Sequence, residues 1–236
     1  MERPWIVLVV LMVLAIGTAA IVGGGRTIER TMPERMDEKM RNDAKEEYEK
    51  SETQYKNAAS DPKRIKLMDD FTEGAVKAEL EIENVGKLEM EFYPKAAPKT
   101  VAHIVDLINK NFYTGIRFHR VIKDFVAQVG DPKSKTTKKE DYAGRSSEEV
   151  ASSLGLGSTG SGTQVPLEKK LPHLVNSIGL ARSIDPDSGD SQFYFNSVDN
   201  ARLDKEYCVF GKVTKGAELL TKITLGDAIT SFKVIK

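Results

Sequence analysis

Cysteine and histidine are scarce in this chain. Its 236 residues include one cysteine, Cys208, and three histidines, His103, His119 and His173. A single cysteine excludes an internal disulfide, and the scattered histidines lack the spacing of a zinc site. No serine lies in a nucleophile elbow, and no neighbour of Cys208 is suited to activate its thiol, so a hydrolase is poorly supported.

Net charge is missing as well. Lysine plus arginine and aspartate plus glutamate both number 35, which makes the formal net charge zero. A nucleic-acid-binding domain usually carries a basic face. The charge balance therefore predicts no nucleic-acid partner, and the length allows one domain of ordinary size with additional segments.

Charges are absent from one long run near the N-terminus. Residues 5–22 are apolar and about long enough to cross a bilayer. Small residues near the end of the run, at 18–20, would also suit a cleaved signal peptide. Positive residues flank both ends of the run and do not decide its orientation. We expect residues 1–25 to be a single-pass membrane anchor or signal segment, with the long C-terminal part extracytoplasmic.

A highly charged stretch follows over residues 26–75. Met32, Met36 and Met40 recur at four-residue intervals, the spacing of one helix face. This stripe would suit a coiled-coil or partner-binding stalk, but no heptad repeat persists after Met40. A charged helical linker is the favoured interpretation.

From residue 76 the apolar period changes to two. Alternation over residues 76–82 and 88–92 predicts a half-buried hairpin. Further strands are expected at 116–121, 125–128, 177–181, 192–196, 208–213 and 229–235. Many strands with two helices indicate an all-β sandwich or barrel over residues 76–236.

The two helices are expected at 101–110 and near 217–223. The first carries an apolar face, and Thr100 could cap its N-terminus.

Two polar segments interrupt the strand pattern. Residues 132–154 are rich in charge and are expected to form a surface insertion in which Ser146 caps a short helix. Residues 155–162 contain four glycines but lack the Gly-Lys-Ser/Thr ending of a phosphate-binding loop. A flexible loop at the rim of a pocket is favoured.

Polar residues are embedded in two otherwise apolar stretches. Arg120 lies within Phe118–Asp131, and Gln192 lies within Ser191–Phe195. A buried guanidinium is costly unless acceptors are available to it. A shallow apolar pocket rimmed by fixed donors, built to hold a peptide, would explain this pattern.

These stretches resemble a known family. Phe118–Asp131 resembles the signature of the cyclophilin-type peptidyl-prolyl isomerases, and Ser191–Phe193 resembles their second signature. The similarity continues in the family's order at 178–182, 203–204 and 209–213. It covers about residues 76–236, and Ala181-Arg182 and Tyr207 are closer to bacterial and archaeal members. The resemblance implies an eight-stranded antiparallel closed barrel capped by two helices, with a peptide groove on its outer face.

The resemblance also implies roles for matching positions, with no cofactor or metal. Arg120 would be the catalytic arginine. The proline pocket would be walled by Phe125, Val126, Tyr194 and Leu203. The flanking peptide backbone would be held by Gln128, Ala181, Arg182 and Gln192. The rest of the expected substrate-binding set is His119, Phe193 and Tyr207.

Four positions depart from the family's pattern. Val126 stands where methionine is frequent, and Val129 replaces the first glycine of the usual Gln-Gly-Gly-Asp. Tyr194 replaces a phenylalanine and adds a hydroxyl that needs a partner. Arg202 occupies the place of a tryptophan or phenylalanine, which removes an aromatic wall and donor for cyclosporin.

The sequence therefore predicts a membrane-anchored peptidyl-prolyl cis-trans isomerase that acts on proline-containing segments of unfolded or exported proteins and assists their folding. A non-catalytic proline-peptide binding module of a membrane complex is the alternative. A third interpretation, a structural barrel without a groove, would require Arg120 to form an ion pair with a carboxylate such as Asp124 or Asp131.

Overall fold

The computed structural model describes residues 61–235 and, before them, Glu46, Glu49 and Lys50. The expected anchor and most of the charged linker lie outside the described residues. Within the part of the chain that is described, no helix is long and apolar enough to span a bilayer. The compact unit that contains the strands of the described region begins at Asp61.

Eight antiparallel strands form a single curled sheet. They are β1 (Val76–Ile82), β2 (Gly86–Phe92), β3 (Arg120–Ile122), β4 (Val126–Val129), β5 (Ser177–Leu180), β6 (Phe193–Asn196), β7 (Cys208–Lys215) and β8 (Ile229–Ile235). Their order across the sheet is β3-β4-β6-β5-β7-β2-β1-β8. The predicted all-β class and the eight antiparallel strands are confirmed.

The two edges of this sheet are linked by the segment that precedes β3. Arg117 forms an isolated bridge with Ala228, directly before β8. Backbone bonds flank the bridge, from Gly115 N to Ile229 O at 2.8 Å and from Phe118 N to Asp227 O at 2.9 Å. Among residues 61–235, β3 and β8 themselves share no ladder, so these few bonds make the connection.

One side of each strand contributes to a common apolar interior. In the β1–β2 hairpin, Leu80 pairs with Leu88, and both side chains are fully buried. Aromatic rings fill the centre, where Phe193 lies 5.5 Å from Tyr113 and 6.0 Å from Phe232 between ring centroids. Because this interior is filled, a ligand site must lie on the outer side of the sheet.

The first predicted helix is α2 (Pro98–Asn109), and Thr100 is not its N-cap. The N-cap residue is Ala97, whose side chain makes no capping bond. Instead, one carboxylate oxygen of Glu168 accepts bonds from the backbone N–H and the hydroxyl of Thr100, both at 2.9 Å, and the other accepts from Lys99 N at 3.2 Å. The cap of this helix thus comes from a distant segment.

Of the other helical segments in the described region, three concern the predictions and the site. The second predicted helix is a 3-10 segment, Ala217–Lys222. Within the insertion, Ser146 caps α3 (Ser147–Leu154), and its hydroxyl accepts from Glu149 N at 3.2 Å, as predicted. The third segment is α1 (Pro62–Asp69), whose buried Met68 packs in an apolar cluster with residues of the compact unit.

Replacement of Glu168 by alanine is expected to lower the free energy of unfolding by about 1–2 kcal/mol, because two N–H groups of the first turn of α2 lose their acceptor. Urea unfolding measures this effect. The matched control is Glu218→Ala, which removes an exposed carboxylate without a side-chain bond in the described region. Equal effects of the two substitutions would contradict the proposed cap.

Candidate active site

Arg120 begins β3 and lies on the outer side of the sheet. The sequence alternation predicts Phe118 and Arg120 on the same side. In the structure the backbone N–H of Phe118 donates to Asp227, just before β8, and the Phe118 side chain is buried in the interior. Ile122, two residues after Arg120, instead belongs to an outer apolar cluster. Val121 packs against the interior. The alternation therefore breaks at His119, which brings Arg120 to the outer surface.

The guanidinium of Arg120 has no hydrogen-bond or ion-pair partner among residues 61–235. It lies 5.6 Å from the ring centroid of Phe125. Burial lowers the pKa of Arg120, while the charge of Glu148 acts in the opposite direction. Arginine remains protonated at neutral pH nonetheless. A half-buried cation with five unused donors is thus available to an acceptor on a ligand.

Asp131, an expected acceptor for Arg120, is engaged elsewhere. Its buried carboxylate accepts from the backbone N–H groups of Lys133 at 2.9 Å, Gly157 at 2.7 Å and Thr159 at 3.2 Å. The hydroxyl of Thr159 donates to it as well. The ion pair required for a structural barrel without a groove is therefore absent from the described residues for both Asp131 and Asp124.

The side chains predicted to wall the proline pocket come together in one outer cluster. Its buried members are Phe125, Val126 and Tyr194. The partly buried members packed against them are Ile122, Ala181, Leu203 and Tyr207. The rings of Tyr194 and Tyr207 meet edge to face, 6.2 Å apart. The cluster lies beside Arg120, because the ring of Phe125, one of its members, also contacts the Arg120 guanidinium.

Strand register places the polar residues in a row next to this cluster. Arg120 pairs with Gln128 across β3 and β4, and Gln128 pairs with Tyr194 across β4 and β6. The Gln128 side chain donates to Gln192 Oε1 at 3.0 Å, and Gln192 Nε2 donates to the Thr159 carbonyl at 2.7 Å. Both glutamines are thereby held in defined orientations.

A polar hollow of about 230 Å³ continues this row. Its lining includes Gln128, Ala181, Arg182 and Gln192, with the glycine-rich loop 155–162 at the rim, as predicted. Arg182 lies 4.8 Å from the ring centroid of Tyr207 and pairs with Glu206 at 3.1 Å. The loop is not free, because Asp131 and Asp190 bind its N–H groups.

Two expected substrate-binding residues are almost fully buried. Phe193 is 1% exposed and lies in the interior, because Gln192 and Tyr194 on either side of it face outwards. His119 is 2% exposed, and neither ring nitrogen has a hydrogen-bond partner among the described residues. Direct contact with a bound peptide does not fit the interior position of Phe193, whereas the role of His119 at the site stays a prediction.

The departures at Val129 and Arg202 have different consequences. Val129 is fully buried in the interior and leaves the outer face unobstructed. Arg202 lies over the opposite part of the cluster, 4.7 Å from the ring centroid of Phe125. A second guanidinium thus stands where an aromatic wall was expected.

The insertion contributes to the site in a way that the sequence did not indicate. Val121 N donates to the hydroxyl of Ser147 at 3.0 Å, and this hydroxyl donates to Val121 O at 3.2 Å. The first turn of α3 therefore covers the free edge of β3 beside Arg120. The sequence feature that could have indicated this contact was Ser147, which follows the predicted cap residue Ser146.

No pattern in the sequence indicated a role for His173. Its Nε2 lies 2.9 Å from the Tyr194 hydroxyl, the group for which a partner was required. The scarcity of histidine was the sequence feature that could have drawn attention to His173 as a partner for the Tyr194 hydroxyl.

Burial lowers the pKa of His119 from 6.5 to about 4. In the unfolded chain the His119 imidazole is therefore protonated at a higher pH than in the folded protein. We expect His119 to cost no stability above pH 6.5 and to destabilise the fold progressively as the pH falls towards 4, by about 3 kcal/mol in total. Urea unfolding of the wild type and His119→Gln across this range measures the difference. An equal loss of stability in both proteins would contradict the assignment.

The chain is similar to known proteins of one family. The family described as cyclophilin type peptidyl-prolyl cis-trans isomerase/CLD matches residues 77–234. A probable peptidyl-prolyl cis-trans isomerase of Brucella abortus (strain 2308) is 37% identical over 144 residues, 60% of this chain and 68% of the relative. Peptidyl-prolyl cis-trans isomerase B of Bacillus subtilis (strain 168) is 33% identical over 156 residues, 65% of this chain and 94% of the relative.

Solved structures show the same fold. Cyclophilin AquaCyp293 from Hirschia baltica has a TM-score of 0.52 at 21% identity, covering 66% of this chain and 72% of that one. A Cryptosporidium parvum cyclophilin type isomerase, solved in the presence of the dipeptide Ala-Pro, has a TM-score of 0.53 at 21% identity, covering 68% and 99%. The chain belongs to the cyclophilin-type peptidyl-prolyl cis-trans isomerase family.

Proposed function

We propose that Arg120 is the catalytic residue of this isomerase and that the outer cluster around Phe125 binds the proline ring. The supporting observation is the half-buried Arg120 guanidinium, which has no hydrogen-bond or ion-pair partner in the described region and lies at the edge of an apolar pocket. Its donors are unused, and the neighbouring Asp131 is occupied by backbone N–H groups.

The reaction requires rotation about a conjugated amide. The barrier is about 18–20 kcal/mol, and the two isomers of an Xaa-Pro bond are close in energy but interconvert slowly. At the twisted transition state the proline nitrogen loses conjugation and becomes a hydrogen-bond acceptor. A guanidinium directed at this nitrogen stabilises the twisted form more than either planar form, which accelerates rotation.

Rotation also requires the two sides of the bond to be held separately. Phe125, Val126, Tyr194 and Leu203 would hold the proline ring by apolar contact. Gln128, Gln192, Ala181 and Arg182 would hold the flanking backbone, with Tyr207 at the boundary. The mutual bond of the two glutamines supports this role, because it keeps their remaining donors and acceptors in fixed positions. Proline-containing peptides of unfolded proteins are the proposed substrates.

We also propose that residues 5–22 anchor the protein in a membrane, with the isomerase domain on the extracytoplasmic side. The support is the uncharged apolar run, which is longer than the core of a usual signal peptide. Newly exported chains would then be the clients.

Arg120→Ala is expected to lower kcat/KM by roughly 100-fold or more, because a donor that acts mainly in the transition state is lost. Arg120→Lys keeps the charge without the planar fork and should recover only part of the activity. Exchange NMR on an Ala-Pro peptide with the full-length protein measures the rate and the affinity together.

The matched control is Arg145→Ala, which removes an exposed arginine bonded to Ser153 and should leave the rate unchanged. If the wild type bound the peptide but gave no acceleration, the protein would be a non-catalytic proline-peptide binding module. If Arg120→Ala retained full activity, the assignment of Arg120 would be wrong.

The anchor is tested by the mass and location of the mature protein. We expect an intact N-terminus, retention in the membrane fraction after washing at high salt, and digestion of the isomerase domain by protease added to the extracytoplasmic side. A mature protein that begins near residue 21 would show instead that the segment is a cleaved signal peptide.

A further inference from the structure

A continuous chain of polar contacts runs from α1 to the wall of the apolar pocket. Arg64 on α1 donates to both carboxylate oxygens of Asp204, with Nε 3.0 Å from Oδ2 and Nη2 3.2 Å from Oδ1. The same Oδ1 accepts from His173 N at 2.7 Å and lies 3.1 Å from His173 Nδ1. At the far side of this ring, Nε2 lies 2.9 Å from the Tyr194 hydroxyl.

The direction of these bonds follows from the chemistry of the groups. An ionised carboxylate only accepts hydrogen bonds, so His173 Nδ1 carries the proton that is shared with Asp204. Nε2 is then an acceptor, and the Tyr194 hydroxyl donates to it. Burial lowers the pKa of His173 and raises that of Tyr194 well above its usual range, so both groups are neutral. Each link therefore has one donor and one acceptor.

The Tyr194 ring is also confined by its surroundings. It stacks nearly parallel to His173, with 6.0 Å between ring centroids and 11° between planes. Gly179 lies beneath it on β5, where a Cβ would collide with the ring. The hydroxyl thus lies at the back of the pocket, while the ring forms part of the wall with Phe125 and Val126.

The far end of the contact chain lies outside the part of the sequence typical of the family. The match covers residues 77–234, whereas α1 precedes it. Helix α1 is nevertheless docked, because Met68 is 1% exposed in a cluster with Tyr93, Leu171 and Val209. The side chains of Arg64 and Asp204 are 11% and 27% exposed, so their ion pair is partly shielded from water.

We propose that Arg64, Asp204 and His173 are positioning residues that set the pocket wall through Tyr194, which makes α1 part of the substrate-binding unit. This inference rests on the proposed role of the outer cluster as the proline pocket. The three residues do not touch the substrate. They act by holding the Tyr194 ring in the orientation that contacts the proline.

The position of this relay predicts which kinetic parameter it controls. The pocket wall contacts the proline ring equally in the planar and twisted forms of the substrate. Loss of such uniform binding raises KM and leaves kcat nearly unchanged, whereas loss of Arg120 lowers kcat. The two sets of variants are therefore distinguishable in one assay.

The test is a double-mutant cycle between Arg64→Ala and Tyr194→Phe in the full-length protein, with an Ala-Pro peptide as the substrate. The two residues lie at opposite ends of the relay, so coupling between them must pass through His173 and Asp204. We expect each substitution to raise KM by about 3- to 10-fold, and the double variant to be no worse than the weaker-binding single variant. Arg64→Lys should recover part of the affinity, and Asp204→Asn provides a second, nearly isosteric break.

Two controls separate positioning from general destabilisation. Lys66→Ala removes an exposed cation from the same helix and should leave KM unchanged. Val213→Ala truncates an interior residue outside the pocket cluster, so it should lower the stability without changing KM. Multiplicative effects of the two relay substitutions, or stability losses without any change in KM, would overturn the proposal. An unchanged kcat in Arg120→Ala would instead refute the proposed catalytic role. The two outcomes are distinguishable because the double-mutant cycle is measured in KM and the role of Arg120 in kcat.

Discussion

The antiparallel register between β4 and β6 is the constraint on which the candidate site depends. It pairs Gln128 with Tyr194, so that the glutamine row and the pocket wall share the outer face while Phe193 enters the interior. Gly130 permits the close approach that follows, because its φ is 111° and a Cβ would collide with the backbone of Ser191. A shift of one residue would exchange the inner and outer faces of β6 and remove the pocket.

Single carboxylates hold together segments around the sheet that are distant in sequence. Asp131 holds the glycine-rich loop, Glu168 caps α2, and Asp204 joins α1 to the pocket region. Each accepts several hydrogen bonds from groups that are distant in sequence, and such charge-assisted bonds are stronger than neutral ones. The rim of the groove is therefore organised before a peptide binds, which reduces the ordering that binding would otherwise require.

Local patterns predicted the elements well, and long-range contacts account for what they missed. Period-two alternation identified the β1–β2 hairpin, and the serine at the start of a short helical stretch identified the cap of α3, because both depend on neighbours in sequence. The proposed Thr100 cap was wrong because Glu168 occupies that position from 68 residues away. The prediction that Phe118 shares the side of Arg120 was wrong because the chain changes its pairing partner, from β8 to β4, between these two residues.

By itself, the sequence determined the resemblance to the family, the succession of strands along the chain and the residue types of the site, including Arg120 and the two glutamines. The family resemblance and the site residues follow from motifs that keep the family's order along the chain, which are properties of the sequence alone. Only the tertiary structure decided which side chains reach the groove and that Arg120 has no ion-pair partner in the described region. It also decided that His173 accepts a hydrogen bond from the Tyr194 hydroxyl. The reason is physical: a hydrogen-bond partner or a strand face depends on register and closure, which bring together residues that the sequence keeps far apart.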